Sequence, residues 1–267
     1  LSDAVADAGL VVMAVPVGAM ADVLSRVASA SGAIITDVGS TKLSVIVDAR
    51  AALGKKIGRF VPGHPIAGTE RNGLDAGFPD LFRDRRIILT PTPETDADAF
   101  TVVESLWHTL GGYVSQMDAA HHDEVLAATS HLPHVLAFGL VDTLARMAER
   151  TEIFEYAAGG FADFTRIASS DPHLWSDIVT ANRDAVLPVL DRYVGDLNTL
   201  RQAIAQGDTD TLTATFALTA STAMGEISLS DLPLRMLVCT SESSKNLRRA
   251  WAQQSADVTG PGCRAAS

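Results

Sequence analysis

The chain has 267 residues, 47% apolar and 20% charged, with a formal net charge of −11. That length allows one large domain or two modest ones with a real core. The charge excludes a general nucleic-acid or anionic-membrane surface, which needs a basic footprint, though a few arginines could still make a pocket for an anionic small molecule. Two cysteines, Cys239 and Cys263, build neither a disulfide framework nor a cysteine zinc site and fit a reducing cytoplasm.

The first half alternates strands with helices. LVVMAV, residues 10–15, is a short apolar run ended by Pro16. It reads as a strand buried on both faces rather than as a leader or membrane segment, since Asp3 and Asp7 precede it. Helical spacing follows over Ala19–Ala30, then AIITDV as a second buried strand. The polar turn Gly39-Ser40-Thr41-Lys42 leads into a helix over Leu43–Leu53. Lys56–Val61, Arg86–Thr90 and Gly112–Met117 read as further strands. Thr95–Leu110 reads as a helix, with Asp96 and Asp98 in its first turn. This alternation predicts the α/β class, with a mostly parallel sheet and crossover helices. After Asp118 the strand signal stops. Helical patterns over 119–149, 172–206 and 208–226 predict a second, all-helical domain, and beyond about Leu229 the composition is that of an irregular tail. The expected division is therefore 1–118, 119–228 and 229–267.

Three polar clusters interrupt this pattern. In FVPGHPIAGTERNG, residues 60–73, a strand-like run ends in a Gly-His-Pro turn. Pro65 restricts the backbone of His64, and glycines 63 and 68 permit close approach of backbone to a ligand. The histidine reads either as a proton acceptor poised over a cofactor site or as a loop residue capping a turn. The second cluster is His121, His122 and Asp123, then Ser130-His131-Leu132-Pro133-His134. His131 and His134 share a helix face, and Pro133 disrupts the helix where the His134 ring would project. Without a His-Glu-x-x-His spacing, no metal site is expected. In the third cluster, Gly159 and Gly160 permit an unusual backbone path. Arg166 offers a planar charged fork suited to a carboxylate, or a partner for Asp163. Asp171-Pro172 reads as a helix N-cap with proline after it, and Trp175 lies one turn inside that helix. No G-x-G-x-x-G follows a strand anywhere in the chain.

GHPIAGTERNG, HDEVLAATSHLPH and GGFADFTRIASSDPHLW, in that order, closely resemble the prephenate dehydrogenase family, whose arogenate and cyclohexadienyl dehydrogenases share these motifs. The resemblance runs from about residue 3 to about residue 220. It implies a partial Rossmann-type parallel-sheet domain, whose first βαβ unit with its glycine-rich fingerprint would lie before Leu1, followed by an all-α dimerisation domain. It also implies a cytoplasmic homodimer that oxidatively decarboxylates prephenate, or arogenate, in tyrosine biosynthesis. NAD is the implied cofactor, and NAD versus NADP stays undecided.

By the same resemblance, His64 accepts a hydrogen bond from the substrate ring hydroxyl, and Ser40 touches that histidine, the hydroxyl and the nicotinamide. Arg166 binds a substrate carboxylate. His134 and Ser130 line the pocket, Glu70 gates it and Trp175 stands near its mouth. Ala14, Val15 and Pro16 face the cofactor. An arogenate-preferring enzyme, a non-catalytic dimerisation fragment and a metal-dependent hydrolase using His131 and His134 stay open as alternatives.

Overall fold

The structure, a computed structural model, describes residues 1–30, 32–68, 77–148 and 150–223. The chain forms two compact units, Leu1–Tyr193 and Val194–Ser267. The sheet and every residue of the site described below belong to the first.

In that unit a helical turn α1 (Ser2–Val5) precedes β1 (Leu10–Met13), and a 3₁₀ turn, Val17–Ala19, leads into α2 (Met20–Ala30). Then come β2 (Ile34–Asp37), α3 (Leu43–Leu53), β3 (Phe60–Val61), β4 (Gly63–Pro65), β5 (Arg86–Leu89), α4 (Ala97–Thr109) and β6 (Tyr113–Gln116). β1, β2 and β3 pair in parallel in that order, and β6 pairs in parallel with β5. β4 runs antiparallel to β5, with His64 opposite Ile88. The run 60–65 thus changes partner at Pro62, which has no N–H to donate; its carbonyl accepts from the Thr90 N–H at 3.0 Å.

Successive strand residues face opposite sides of the sheet. Ile35 and Phe60 join Met20, Leu24, Val45 and Ala49 in one core. Their neighbours Ile34 and Val61 join Ile87, Leu89, Val103 and Trp107 in another. Helices α2 and α3 therefore cover one face and α4 the other, which is the doubly wound arrangement.

The helical part continues with α5 (Ala119–Leu126), a π-helical turn over Ala127–His131, α6 (Leu132–Ala145), α7 (Arg150–Glu155) and α8 (Gly159–Thr165). A 3₁₀ turn, Arg166–Ser169, precedes α9 (Pro172–Ala181), α10 (Arg183–Gln206) and α11 (Thr209–Ala223). Asp171 caps α9 as its sequence suggests, accepting from the His173 N–H at 2.7 Å and the Leu174 N–H at 3.1 Å. Within the second unit, α10 ends at Gly207, whose φ of 64° is the left-handed conformation glycine favours. Asp208 then caps α11 through the Thr211 N–H at 3.0 Å.

Several local expectations are corrected. Lys56–Arg59 belong to a 3₁₀ helix, Gly54–Arg59, so the strand begins only at Phe60. Gly63-His64-Pro65 is itself a strand rather than a turn, because β5 offers its backbone a partner. β1 lies at the sheet edge with Val12 43% exposed, so LVVMAV is not buried on both faces. The helix expected over 119–149 is interrupted by the π turn, and the one over 172–206 breaks at Asn182. Gly159 and Gly160 open α8, and neither has a positive φ. Residues 224–226 and the 229–267 tail lie outside the described residues.

Gly63 is one of the positions where the fold needs a glycine. A Cβ there would stand 3.0 Å from the Asp37 carbonyl oxygen and 3.2 Å from Leu89 Cδ2. Neither the β2 backbone nor a buried leucine yields freely. Gly63→Ala is expected to lower unfolding stability by about 1–3 kcal/mol, measured as a shift in the urea midpoint at unchanged slope. An unchanged midpoint would show that the strand spacing relaxes without cost.

Candidate active site

In open α/β sheets, ligands bind outside the carboxyl ends of the parallel strands. Here β2 ends in Asp37, which is fully buried. Its carboxylate accepts from the Gly39 N–H at 2.8 Å and the Gly63 N–H at 3.0 Å. The equally buried Lys42 ammonium pairs with the same carboxylate and donates to the Gly63 carbonyl at 2.6 Å. Burial pulls the Lys42 pKa down, while the Asp37 and Asp123 carboxylates oppose that shift. The loop after β2, the start of α3 and the backbone beside His64 are thus tied together by one buried ion pair.

A second carboxylate comes from the helical part. Asp123 in α5 accepts from the Lys42 N–H at 2.8 Å and the Leu43 N–H at 2.9 Å, capping the N-terminus of α3 from about eighty residues away. His122 Nδ1 lies 2.8 Å from Asp123 Oδ1, and His122 Nε2 lies 2.9 Å from His64 Nδ1. His122 is fully buried and His64 half-buried. Burial pushes the His64 pKa well below the ordinary histidine range, with the charge of Lys42 and then His122 and His131 acting in the same direction. The ring is neutral at pH 7.

The same residues lead to the rest of the cluster. The Asn182 amide donates to the Asp123 carbonyl at 2.8 Å and to His131 Nδ1 at 3.0 Å. An NH₂ group has no lone pair, so His131 accepts at Nδ1 and carries its proton on Nε2. Among the described residues that buried Nε2 has no partner. His131 meets Trp175 edge-to-face at 6.1 Å, and His134 stacks on Trp175 at 3.4 Å between centroids, 15° from parallel. The Ser130 carbonyl accepts from His134 Nδ1 at 2.9 Å, which leaves Nε2 of His134 as an acceptor. Burial lowers the His134 pKa, and Arg166 lies close enough to lower it further.

The structure thus brings His64, Ser130, His134, Trp175 and Arg166 into one connected cluster. Ser40 is half-buried in the loop after β2, and among the described residues no hydrogen bond joins it to His64. Ala14 and Pro16 are exposed and Val15 is half-buried where β1 ends. The Pro16 carbonyl accepts from the Ala19 N–H at 2.9 Å. Glu70 lies outside the described residues. Among the described residues nothing stands close to where a Gly68 side chain would be, while Gly63 is approached by the protein's own backbone.

Sequence reasoning gave no role to Asp37 or Asn182, named Lys42 only as part of a polar turn, and treated His122 and Asp123 only as members of a polar cluster. The one local signal of unusual geometry was Pro133. Its missing N–H sits just past the π turn, where the Leu132 N–H reaches back five residues to Ala127.

Residues 2–116 match the family model described as prephenate dehydrogenase, nucleotide-binding domain. Residues 118–218 match the one described as prephenate dehydrogenase, dimerization domain. The cyclohexadienyl dehydrogenase of Zymomonas mobilis is 48% identical over 216 residues, covering 79% of this chain and 73% of its own. The prephenate dehydrogenase of Bacillus subtilis is 34% identical over 212 residues, covering 78% of this chain and 57% of its own. The chain belongs to the prephenate dehydrogenase family. A solved structure of the Aquifex aeolicus prephenate dehydrogenase, in complex with hydroxyphenyl propionate and NAD+, superposes with a TM-score of 0.75 at 36% identity, covering 82% of this chain and 77% of that one. The dinucleotide-domain sheet followed by a helical domain is thus the family's fold.

Burial of neutral histidines also sets how stability responds to acid. His131 is lowered from 6.5 to about 4, chiefly by burial. The unfolded chain binds its proton first, so the stabilisation is full above about 6.5 and is lost as pH falls toward 4. For His131 alone this is about 3 kcal/mol. Urea unfolding at several pH values from 7 to 4 is expected to show a shallower loss in His131→Asn than in the parent chain. Parallel curves would mean that His131 titrates normally in the folded state.

Proposed function

We propose that this chain oxidatively decarboxylates prephenate to 4-hydroxyphenylpyruvate, with hydride transfer to NAD(P), in the cytoplasmic synthesis of tyrosine. One observation carries this reading: a histidine held neutral at the end of the sheet is joined, through a single hydrogen-bonded and stacked cluster, to the neighbourhood of an arginine. That is a base and a carboxylate receptor in one site.

The ends of β1 and β2 suit the nicotinamide half of a dinucleotide. Ala14 and Pro16 present open surface there, and Ser40 stands in the adjoining loop. The glycine-rich turn that cradles a pyrophosphate is not among these 267 residues. When bound, the dinucleotide supplies the hydride acceptor. The remaining tasks fall to this chain's own side chains.

His64 takes the proton of the ring hydroxyl as hydride leaves the same carbon, and a neutral imidazole is the natural acceptor. Ser40 orients that hydroxyl. The Arg166 fork holds a substrate carboxylate. It serves best on the side-chain carboxylate, because gripping the group that departs as carbon dioxide would stabilise the ground state along with the transition state. His134, Ser130 and Trp175 line the side-chain end of the pocket, and Glu70 gates it. Aromatisation of the ring drives the step forward.

The second half of the reading is a homodimer. The match to a dimerization-domain model supports it, as do Leu187, Val194, Leu197 and Ile204, which stand exposed along α10. Relative turnover of prephenate and arogenate assigns the ring substrate.

Two substitutions separate the assigned roles. His64→Asn is expected to lower kcat by roughly 10²–10⁴-fold with little change in KM. A variant retaining more than a tenth of kcat would remove His64 from the base role. Arg166→Ala is expected to raise KM more than about tenfold, the size of a lost charged hydrogen bond. A collapsed kcat at unchanged KM would assign Arg166 to the transition state instead.

A further inference from the structure

His122 and Asp123 sit behind the proposed base, and neither is accounted for by substrate or cofactor binding. Their protonation follows from the donors around them. Each Asp123 oxygen accepts a backbone N–H at the start of α3, at 2.8 and 2.9 Å. Backbone amides only donate, and a helix N-terminus favours an anion, so Asp123 is a carboxylate. His122 Nδ1, 2.8 Å from that carboxylate, must then carry the proton. A neutral imidazole has one N–H, so His122 Nε2 presents a lone pair. His64 Nδ1, 2.9 Å away, therefore has to be the donor. The free nitrogen of His64 is Nε2, and it is unprotonated.

The surroundings of His64 pose a second problem for a base. The Lys42 ammonium is bound to the Gly63 carbonyl beside it, and a positive charge on His64 would face that ammonium. Asp37 already pairs with Lys42. His131 contributes from the π turn, and β5 sets Ile88 opposite. His122 and Asp123, from α5, complete the set. Asp37 is taken up by Lys42, so among these groups Asp123 is the anion that His122 reaches.

We infer that His122 and Asp123 are positioning residues acting through His64: they hold it as the Nδ1–H tautomer, so that Nε2 faces the substrate, and they draw its Nδ1 proton toward His122 as Nε2 accepts another. The balance is complete without a co-reactant. The hydroxyl proton goes to His64 Nε2, the Nδ1 proton passes to His122 Nε2, and the His122 Nδ1–H stays on the Asp123 carboxylate; the relay reverses when the aromatised ring oxygen takes a proton back to give the product's phenol. The positive charge ends on the ring bonded to the Asp123 carboxylate instead of on His64, where the Lys42 charge opposes it. This deepens the dehydrogenase reading and, for its kinetic part, rests on it.

His122→Gln separates this role from a structural one. The glutamine amide can still donate to Asp123 while its oxygen accepts from His64 Nδ1, but it cannot take up a proton. It is expected to fold and to keep KM near the parent value, with kcat falling roughly 10- to 100-fold. The solvent-isotope dependence of kcat should change from a two-proton curve to a one-proton line. His122→Leu, which also frees the tautomer, should fall further. A His122→Gln kcat within threefold of the parent would overturn the proton-drawing role. Nitrogen-15 spectra of histidine-labelled full chain test the tautomer without substrate. His64 protonated on Nδ1 supports the inference and His64 protonated on Nε2 overturns it. If the parent chain does not oxidise prephenate, the functional reading fails by itself, and the ring-nitrogen spectrum still decides the tautomer.

Discussion

The site depends on where one carboxylate is placed. Asp123 belongs to α5, yet its oxygens complete the first turn of α3, and its neighbour His122 reaches the strand that carries His64. Its carbonyl fixes the Asn182 amide, which in turn fixes His131. A cap of this kind contributes about 0.5–2 kcal/mol, and leaving the groups it satisfies buried without a partner would cost more. The energetic role and the chemical one cannot be separated at this residue. The bonds that lock the sheet to the helices also decide which nitrogen of His64 faces the substrate.

Asp37 and Lys42 form the matching element within the sheet. A buried ion pair is weak evidence for net stability, because desolvation offsets much of its attraction. What it does here is geometric and electrostatic. It draws the loop after β2 onto the Gly63 backbone, and it places a positive charge next to His64 that helps keep the imidazole neutral. The apolar cores on the two faces of the sheet hold the strand ends in register, where the polar groups meet.

Much of this was legible in the sequence, and the reason is local periodicity. LVVMAV and AIITDV are apolar runs of strand length, and the helices after them carry their own spacing. His64 stood out because Pro65 follows it, and Asp171-Pro172 marked the start of α9. The details that escaped are the long-range ones. Nothing in Gly-Ser-Thr-Lys says that the lysine turns inward to an aspartate five residues earlier. Nothing in His-His-Asp says that the aspartate caps a helix some eighty residues upstream. The strand character of Gly63-His64-Pro65 was hidden for the same reason, since its partner β5 is distant in sequence. Pro133 hinted at the π turn but not at the stacking of His134 on Trp175 that follows from it.

The pH dependence of kcat/KM for prephenate tests most directly whether these surroundings make His64 a neutral base. That quantity reports the free enzyme's essential base, here held well below the ordinary histidine pKa by burial and by Lys42. The account predicts that activity persists as pH falls through 6.5 and is lost only well below it. An acid limb at 6.5 or above would contradict it, because the group accepting the proton would then not be the half-buried imidazole beside Lys42.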